Sequence, residues 1–178
     1  MDELEVKELK IYSVPLATKY VVHITDIVEP DFYRDLFYQL ENCSENDVFE
    51  IVLNTFGGQE DTAIQLYNAI RSSPATVVGR VSGYCCSAGT IILLGCHTWI
   101  VPDNSKFMIH SSSGGTSGKS HETQAMVEFE TGWLKEFFRG VYKGFLTDKE
   151  INEVLAGKDM WFTGVDAVKR LKKLSKEK

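Results

Sequence analysis

Short apolar segments alternate with amphipathic ones along the first two thirds of the chain. Five segments rich in β-branched and aromatic residues are predicted to be strands. They lie at 20–24, 48–53, 76–81, 98–101 and 107–109. Helical spacing of apolar residues between the first three, as in Ala63, Leu66 and Ile70, predicts an α/β fold with a largely parallel central sheet.

The first helix is predicted to begin near Pro30, because proline suits the first helical turn and Asp31 places a negative charge there. Its core face is predicted from helical spacing. That face comprises Phe32, Leu36, Phe37 and Leu40.

A much longer helix is predicted over about 122–143. Its apolar stripe is rich in aromatic residues and is broader than packing against one sheet edge requires. The pattern therefore indicates that this helix packs against another subunit.

The stretch 77–88 is predicted to be a buried strand, a glycine turn at Ser82 and Gly83, and a helix that begins after Ser87. Free N–H groups and the helix dipole favour an anion at such a helix start. Ser87 could therefore cap the helix, as serine commonly does, or act as the nucleophile of an acyl transfer. Both interpretations remain open on this stretch alone.

Composition narrows the functional classes. The length of 178 residues and the 43% hydrophobic content predict a single domain over 1–178. A net charge of −6 argues against nucleic-acid binding, and the apolar segments are too short for a membrane span. The charged N-terminus lacks a signal-peptide pattern, and the four cysteines form no CxxC pair. We therefore expect a cytoplasmic protein without a zinc site, disulfides or a cofactor.

One set of residues has the chemistry of serine acyl transfer. Ser87 would be the nucleophile, His110 the base and Asp159 the group that orients the histidine. The backbone N–H groups of Gly58 and Ala88 would form the oxyanion hole.

Simpler interpretations of the same residues also stand. His110 could merely end a strand, and Asp159 could cap an element or pair with Lys158. The α/β-hydrolase elbow G-x-S-x-G is excluded, because Cys85 occupies the position of its first glycine. The turn at 54–58 carries no phosphate-binding glycine motif.

Five blocks, in order along the chain, resemble motifs of the proteolytic subunit of the Clp protease. The blocks at 54–58 and 83–89 resemble N-S-P-G-G and G-x-A-A-S-x-G. The block at 101–110 resembles L-P-N-S followed by M-I-H. The blocks at 114–118 and 159–168 resemble G-G-x-x-G and D-R-x-x-S/T followed by A-x-E-A-V. Any one block is a weak signal, whereas all of them in order are a strong one.

The resemblance implies the ClpP/crotonase-like fold of repeated β-β-α units, with an N-terminal arm at 1–19 and a protruding handle helix at about 122–143. It also implies serine peptidase activity with Ser87, His110 and Asp159 as the triad. The family assembles into heptameric rings stacked in pairs. An AAA+ unfoldase would use the ATP and feed in unfolded polypeptides, so this chain itself would need no cofactor.

The sequence departs from the family pattern at four places. Phe56 replaces the proline of N-S-P-G-G, and Met160 replaces an arginine that links the rings. Asp103 is an inserted residue, and the N-terminal arm is short and poorly matched.

Two alternative functions follow. A crotonase-type enzyme acting on acyl-CoA thioesters would also use backbone N–H groups as an oxyanion hole, but would not need the three triad residues. A non-catalytic ring subunit of a Clp complex would have no need to keep them.

Overall fold

The computed structural model describes residue 12 and residues 14–111 and 118–175. Most of the predicted N-terminal arm at 1–19 lies outside the described residues. Most of the glycine-rich block at 114–118 also lies outside them.

The described residues form six strands and six helices. The strands are β1 (Lys19–Ile24), β2 (Val48–Thr55), β3 (Thr76–Cys86), β4 (Thr98–Ile100), β5 (Lys106–Ile109) and β6 (Met160–Thr163). The helices are α1 (Arg34–Asn42), α2 (Glu60–Ser72), α3 (Ala88–Gly95), α4 (Ser120–Tyr142), α5 (Asp148–Leu155) and α6 (Gly164–Leu174), and a 3-10 turn (Pro30–Tyr33) precedes α1.

The strands form one sheet in the order β1-β2-β3-β5-β6, with β4 paired to β3 beside this path. All pairs are parallel except β5 with β6, so the predicted parallel sheet is confirmed. Because parallel strands point the same way, the carboxyl ends of β2, β3 and β5 meet at one edge of the sheet. Ser87 and His110 directly follow the ends of β3 and β5, whereas Asp159 directly precedes β6.

The predicted glycine turn at Ser82 and Gly83 is wrong, because β3 continues through both residues to Cys86. The side chain of Asn54 replaces the missing ladder bonds there, and its Oδ1 accepts the N–H of Tyr84 at 3.0 Å. A Cβ on Gly83 would lie 2.5 Å from that oxygen. Gly83 therefore serves a close side-chain approach within a strand.

The predicted core face of the first helix is also partly wrong. Leu36 and Leu40 are buried as expected, but Phe32 is 76% exposed. Phe32 lies in the 3-10 turn, whose three residues per turn shift it out of phase with the α-helical stripe. Tyr33 is buried in its place, and its hydroxyl donates to the Asp26 carbonyl at 2.6 Å.

Helix α3 is buried along its whole length, whereas α4 is buried only near its C-terminus, at Phe138, Val141 and Tyr142. The residues at 124–133 of α4 are all exposed, so this half of the helix projects from the body. The predicted handle helix is thus present within two residues of its predicted bounds. Among the described residues, no helix, α4 included, is long and apolar enough to cross a membrane.

The carboxylate of Glu150 joins α5 to α6. The Arg170 guanidinium donates to both of its oxygens, at 2.7 and 2.9 Å, and also to the Phe145 carbonyl at 2.9 Å. Glu150 also completes a capping box with Thr147 at the start of α5. The hydrogen bonds from Arg170 lower the pKa of Glu150 to about 2.

Replacing Arg170 with methionine should lower the free energy of unfolding at pH 7 by about 1–3 kcal/mol, because it leaves Glu150 unpaired. A pKa that is lowered in the folded state stabilises the protein above the unfolded-state value of about 4.3. The difference between wild type and variant should therefore shrink as the pH falls from about 4.3 towards 2. Urea unfolding at several pH values measures it.

Lys169→Met is the matched control, since Lys169 is 71% exposed and lies 3.6 Å from Asp166. Exposed pairs of this kind contribute little. Equal losses in both variants would contradict the role given to Arg170.

Candidate active site

A cleft of about 770 Å³ opens where the ends of β2, β3 and β5 meet. Ser87 follows β3, His110 follows β5, and Gly58 lies in the turn after β2. All three line the cleft, together with Ala88. The parallel sheet thus gathers four of the five predicted site residues at one place.

Ser87 and His110 are in direct contact, with 2.7 Å between the serine Oγ and the histidine Nε2. Both side chains are half-buried. A histidine at this distance can accept the hydroxyl proton as the serine attacks an electrophile. The ends of β3 and β5 thus bring these two side chains together.

The backbone of Ser87 is strained. Its φ of 53° and ψ of −127° make it the one non-glycine residue with positive φ in the part of the chain that the structure describes. Such conformations cost about 1–3 kcal/mol and cluster at functional sites. The sharp strand-to-helix turn resembles a nucleophile elbow even though the G-x-S-x-G motif is absent.

The interpretation of Ser87 as a simple side-chain cap of α3 is wrong. Its hydroxyl makes no capping hydrogen bond and instead contacts His110. The backbone fixes the turn, because the Ser87 N–H donates to the Met108 carbonyl at 2.7 Å. The Ser87 carbonyl in turn accepts the N–H of Thr90 at 2.9 Å.

Two glycines shape the facing wall of the cleft. A Cβ on Gly57 would lie 2.7 Å from the Ser87 Cβ, and a Cβ on Gly58 would lie 2.1 Å from the Ile27 carbonyl oxygen. Their φ values are 116° and 143°, a region that favours glycine. The absent side chain of Gly57 allows the turn to approach Ser87, and that of Gly58 allows it to approach Ile27.

The N–H groups of Gly58 and Ala88 are suited to bind an oxyanion. The bridge between Ile27 and Gly58 uses the N–H groups of Ile27 and Gln59, and leaves that of Gly58 outside it. Ala88 is the first residue of α3, where helical N–H groups lack intrahelical acceptors. Both residues line the cleft beside Ser87.

Asp159 does not contact His110. Its side chain is exposed, and within the described residues it forms no hydrogen bond or ion pair. The backbone nevertheless brings the two residues near, because β5 and β6 pair Ile109 with Met160 and one further step places His110 opposite Asp159. The alternative pairing with Lys158 is also wrong, since Lys158 binds Glu153 at 2.6 Å.

The two cysteines before Ser87 do not compete as nucleophiles. Cys85 and Cys86 are fully buried. Burial raises the pKa of both thiols, which disfavours the reactive thiolate.

The floor of the cleft comes from residues to which the sequence assigns no role in a site. Ile91 of α3 and Phe138 and Tyr142 of α4 line it. The buried hydroxyls of Tyr142 and Thr90 lie 2.6 Å apart, and burial raises the pKa of Tyr142. The spacing of Phe138 and Tyr142 indicates one helix face, but only the packing of α4 against α3 places that face at the cleft.

Comparison with known proteins identifies a family, a related sequence and a related structure. A family model for the Clp protease matches residues 5–170. The ATP-dependent Clp protease proteolytic subunit 1 of Salinibacter ruber is 25% identical over 133 residues, which span 72% of this chain and 56% of that protein. The chain therefore matches little more than half the length of this relative.

The solved structure of a ClpP1 mutant from Listeria monocytogenes has the same fold. It matches with a TM-score of 0.67 at 21% identity, and the match covers 84% of this chain and 86% of that one. The expected ClpP-like fold is thereby confirmed.

Replacing Gly57 with alanine should lower the free energy of unfolding by at least about 1–2 kcal/mol, because an L residue is strained at this φ and the new Cβ meets Ser87. Guanidinium unfolding measures the change. Gly140→Ala is the control, because it lies inside α4 with nothing within 4 Å of an added Cβ. It should gain up to about 1 kcal/mol. A Gly57 variant as stable as wild type would contradict the close approach.

Proposed function

The chain belongs to the Clp protease family, and we propose that it is a serine endopeptidase that cleaves unfolded polypeptides inside an oligomeric chamber. The observation that carries the proposal is the 2.7 Å hydrogen bond between Ser87 and His110 in a cleft lined by two candidate oxyanion donors. The strained backbone of Ser87 is a further support, because the Ser87 side chain makes no capping hydrogen bond to α3 that would explain the strain.

The proposed reaction proceeds through an acyl-enzyme. His110 Nε2 takes the proton from Ser87 Oγ as that oxygen attacks the scissile carbonyl. The N–H groups of Gly58 and Ala88 stabilise the resulting oxyanion. His110 then donates the proton to the leaving amine. In the second half of the reaction, His110 takes a proton from water as the water attacks the acyl ester, and donates it to Ser87 Oγ as the ester bond breaks.

Asp159 is proposed to orient His110 in the working protein, as the third member of the triad. The support is the β5–β6 pairing, which sets the two residues opposite each other at the end of the strands. A carboxylate beside the other ring nitrogen would fix the tautomer that leaves Nε2 free to accept a proton.

Self-assembly is proposed to bury the exposed half of α4. Met126, Val127 and Phe129 are large apolar residues on this half, and Phe129 is 67% exposed. Exposed apolar residues clustered on a projecting helix are typical of an interaction surface. Heptameric rings stacked in pairs would cover them, and an AAA+ unfoldase in the cytoplasm would supply unfolded chains at the cost of ATP. No cofactor is proposed for this chain itself.

A non-catalytic ring subunit is the second candidate. One observation favours it, namely that the carboxylate of Asp159 makes no contact with His110 among the described residues. Membership of the Clp protease family argues against the crotonase-type acyl-CoA enzyme.

Ser87→Ala and His110→Ala should each lower kcat/KM for a short fluorogenic peptide by about 10³-fold or more, because each removes a group that reacts directly. The assay needs no ATP, since the chemistry at the serine uses none. Ser82→Ala, an exposed serine on β3, should retain wild-type activity. Folded, oligomeric wild-type protein that cleaves no peptide would favour the non-catalytic candidate instead.

Phe129→Glu should reduce the native mass of the assembled protein, since it places a charge in the proposed contact between copies. Native mass spectrometry or light scattering measures the mass. Glu130→Gln, at the next exposed position, should leave the mass unchanged. A wild-type protein that is monomeric at micromolar concentration would contradict the proposed chamber.

A further inference from the structure

Phe56 is an unusual residue for the wall of a cleft. It lines the cleft that holds Ser87, yet 69% of its surface is exposed. It directly precedes Gly57 and Gly58, where the related motif has proline, so the turn itself does not require an aromatic side chain. An exposed aromatic ring at such a position is available to a substrate.

The ring of Phe56 is held in place from behind. Its centroid lies 4.5 Å from that of Tyr84, with an angle of 32° between the planes. Lys106 fixes Tyr84 in turn, because its Nζ donates to the tyrosine hydroxyl at 3.0 Å and lies 4.9 Å from the ring centroid. Preorganised contact groups bind with a smaller loss of conformational entropy.

This support comes from the strands that carry the catalytic pair. Tyr84 lies on β3 and Lys106 on β5, directly opposite each other in the strand register. Ser87 follows the first of these strands and His110 follows the second. The position of the Phe56 ring is therefore coupled to the position of the reacting groups.

Phe56 is also within reach of the residues beside the scissile bond. It precedes Gly58 by two residues, so their Cα atoms lie at most about 7 Å apart. Gly58 is the proposed donor to the scissile carbonyl oxygen. A side chain adjacent to that carbonyl can therefore contact the Phe56 ring.

We propose that Phe56 is a specificity-determining residue that binds a large apolar side chain of the substrate next to the scissile bond. Tyr84 and Lys106 act as positioning residues for it. Ile27 and Val28 line the same cleft and extend the apolar surface. The inference rests on the proposed peptidase function and adds to it the residue that selects the substrate.

The kinetic test uses two pairs of peptides. The two peptides of a pair differ only in having phenylalanine or alanine at one position. That position directly precedes the scissile bond in the first pair and directly follows it in the second. Phe56→Ala should lower the phenylalanine-to-alanine ratio of kcat/KM by about fivefold to tenfold in one pair, mainly through KM. Lys106→Met should lower the same ratio by a smaller factor. A merely structural role would lower both rates and leave the ratio unchanged.

Phe32→Ala is the matched control. Phe32 is similarly exposed and also contacts a tyrosine, Tyr33, at a centroid distance of 5.1 Å, but it does not line the cleft. It should leave the ratio at the wild-type value. An unchanged ratio in Phe56→Ala would overturn the inference, and so would a changed native mass, which would place Phe56 between subunits.

A binding measurement separates this inference from the proposed function. In a Ser87→Ala background, fluorescence anisotropy reports the binding of the same labelled peptides without cleavage. The Phe56→Ala double variant should bind the phenylalanine peptide about fivefold to tenfold more weakly and the alanine peptide equally well. If wild type cleaves nothing but this difference persists, the peptidase proposal fails and the role of Phe56 stands. Equal binding by both variants would overturn that role.

Discussion

The hydrogen bond from the Ser87 N–H to the Met108 carbonyl joins the end of β3 to β5 at the point where the chain turns into α3. It holds Ser87 in a backbone conformation that a serine does not adopt on its own, with φ at 53°. The surroundings leave little freedom to relax, because α3 is buried over its whole length and Gly57 comes within contact distance of the Ser87 side chain. In this conformation the Ser87 hydroxyl meets His110 and makes no cap to the helix.

The remaining parts of the cleft depend on the same junction. Because β2, β3 and β5 run in parallel, their ends deliver the glycine turn, the serine and the histidine to one edge of the sheet. The floor of the cleft is formed by Ile91 of α3 and by the C-terminal turns of α4, which lie far from Ser87 along the chain. The other half of that helix projects outwards, so a single element links the site to the surface proposed for self-assembly.

Much of the fold could be predicted from the sequence, because the spacing of apolar residues and the residue types determine which segments bury one face. The bounds of α4 and of the predicted strands agree closely with the structure, except that β3 continues beyond residue 81 to Cys86. The errors arose where tertiary contacts decide the outcome. Gly83 indicated a turn, but it lies within a strand because Asn54 approaches it, and Phe32 left the core because a 3-10 turn changed the phase.

The site was partly predictable for the same reason. Ser87, His110, Gly58 and Ala88 each follow a strand or begin a helix, and the parallel topology is enough to bring them together. Phe138 and Tyr142 could not be assigned from the sequence, since only helix packing places them at the cleft. The orientation of the Asp159 carboxylate depends on rotamer and surroundings, which no sequence pattern specifies. The role of Ser87 as a nucleophile is tested most directly by mass-spectrometric mapping of the assembled protein after reaction with a fluorophosphonate. A nucleophilic Ser87 should give a single phosphonylated peptide that is modified at this serine, whereas folded, assembled protein that stays unmodified at Ser87 would contradict this role.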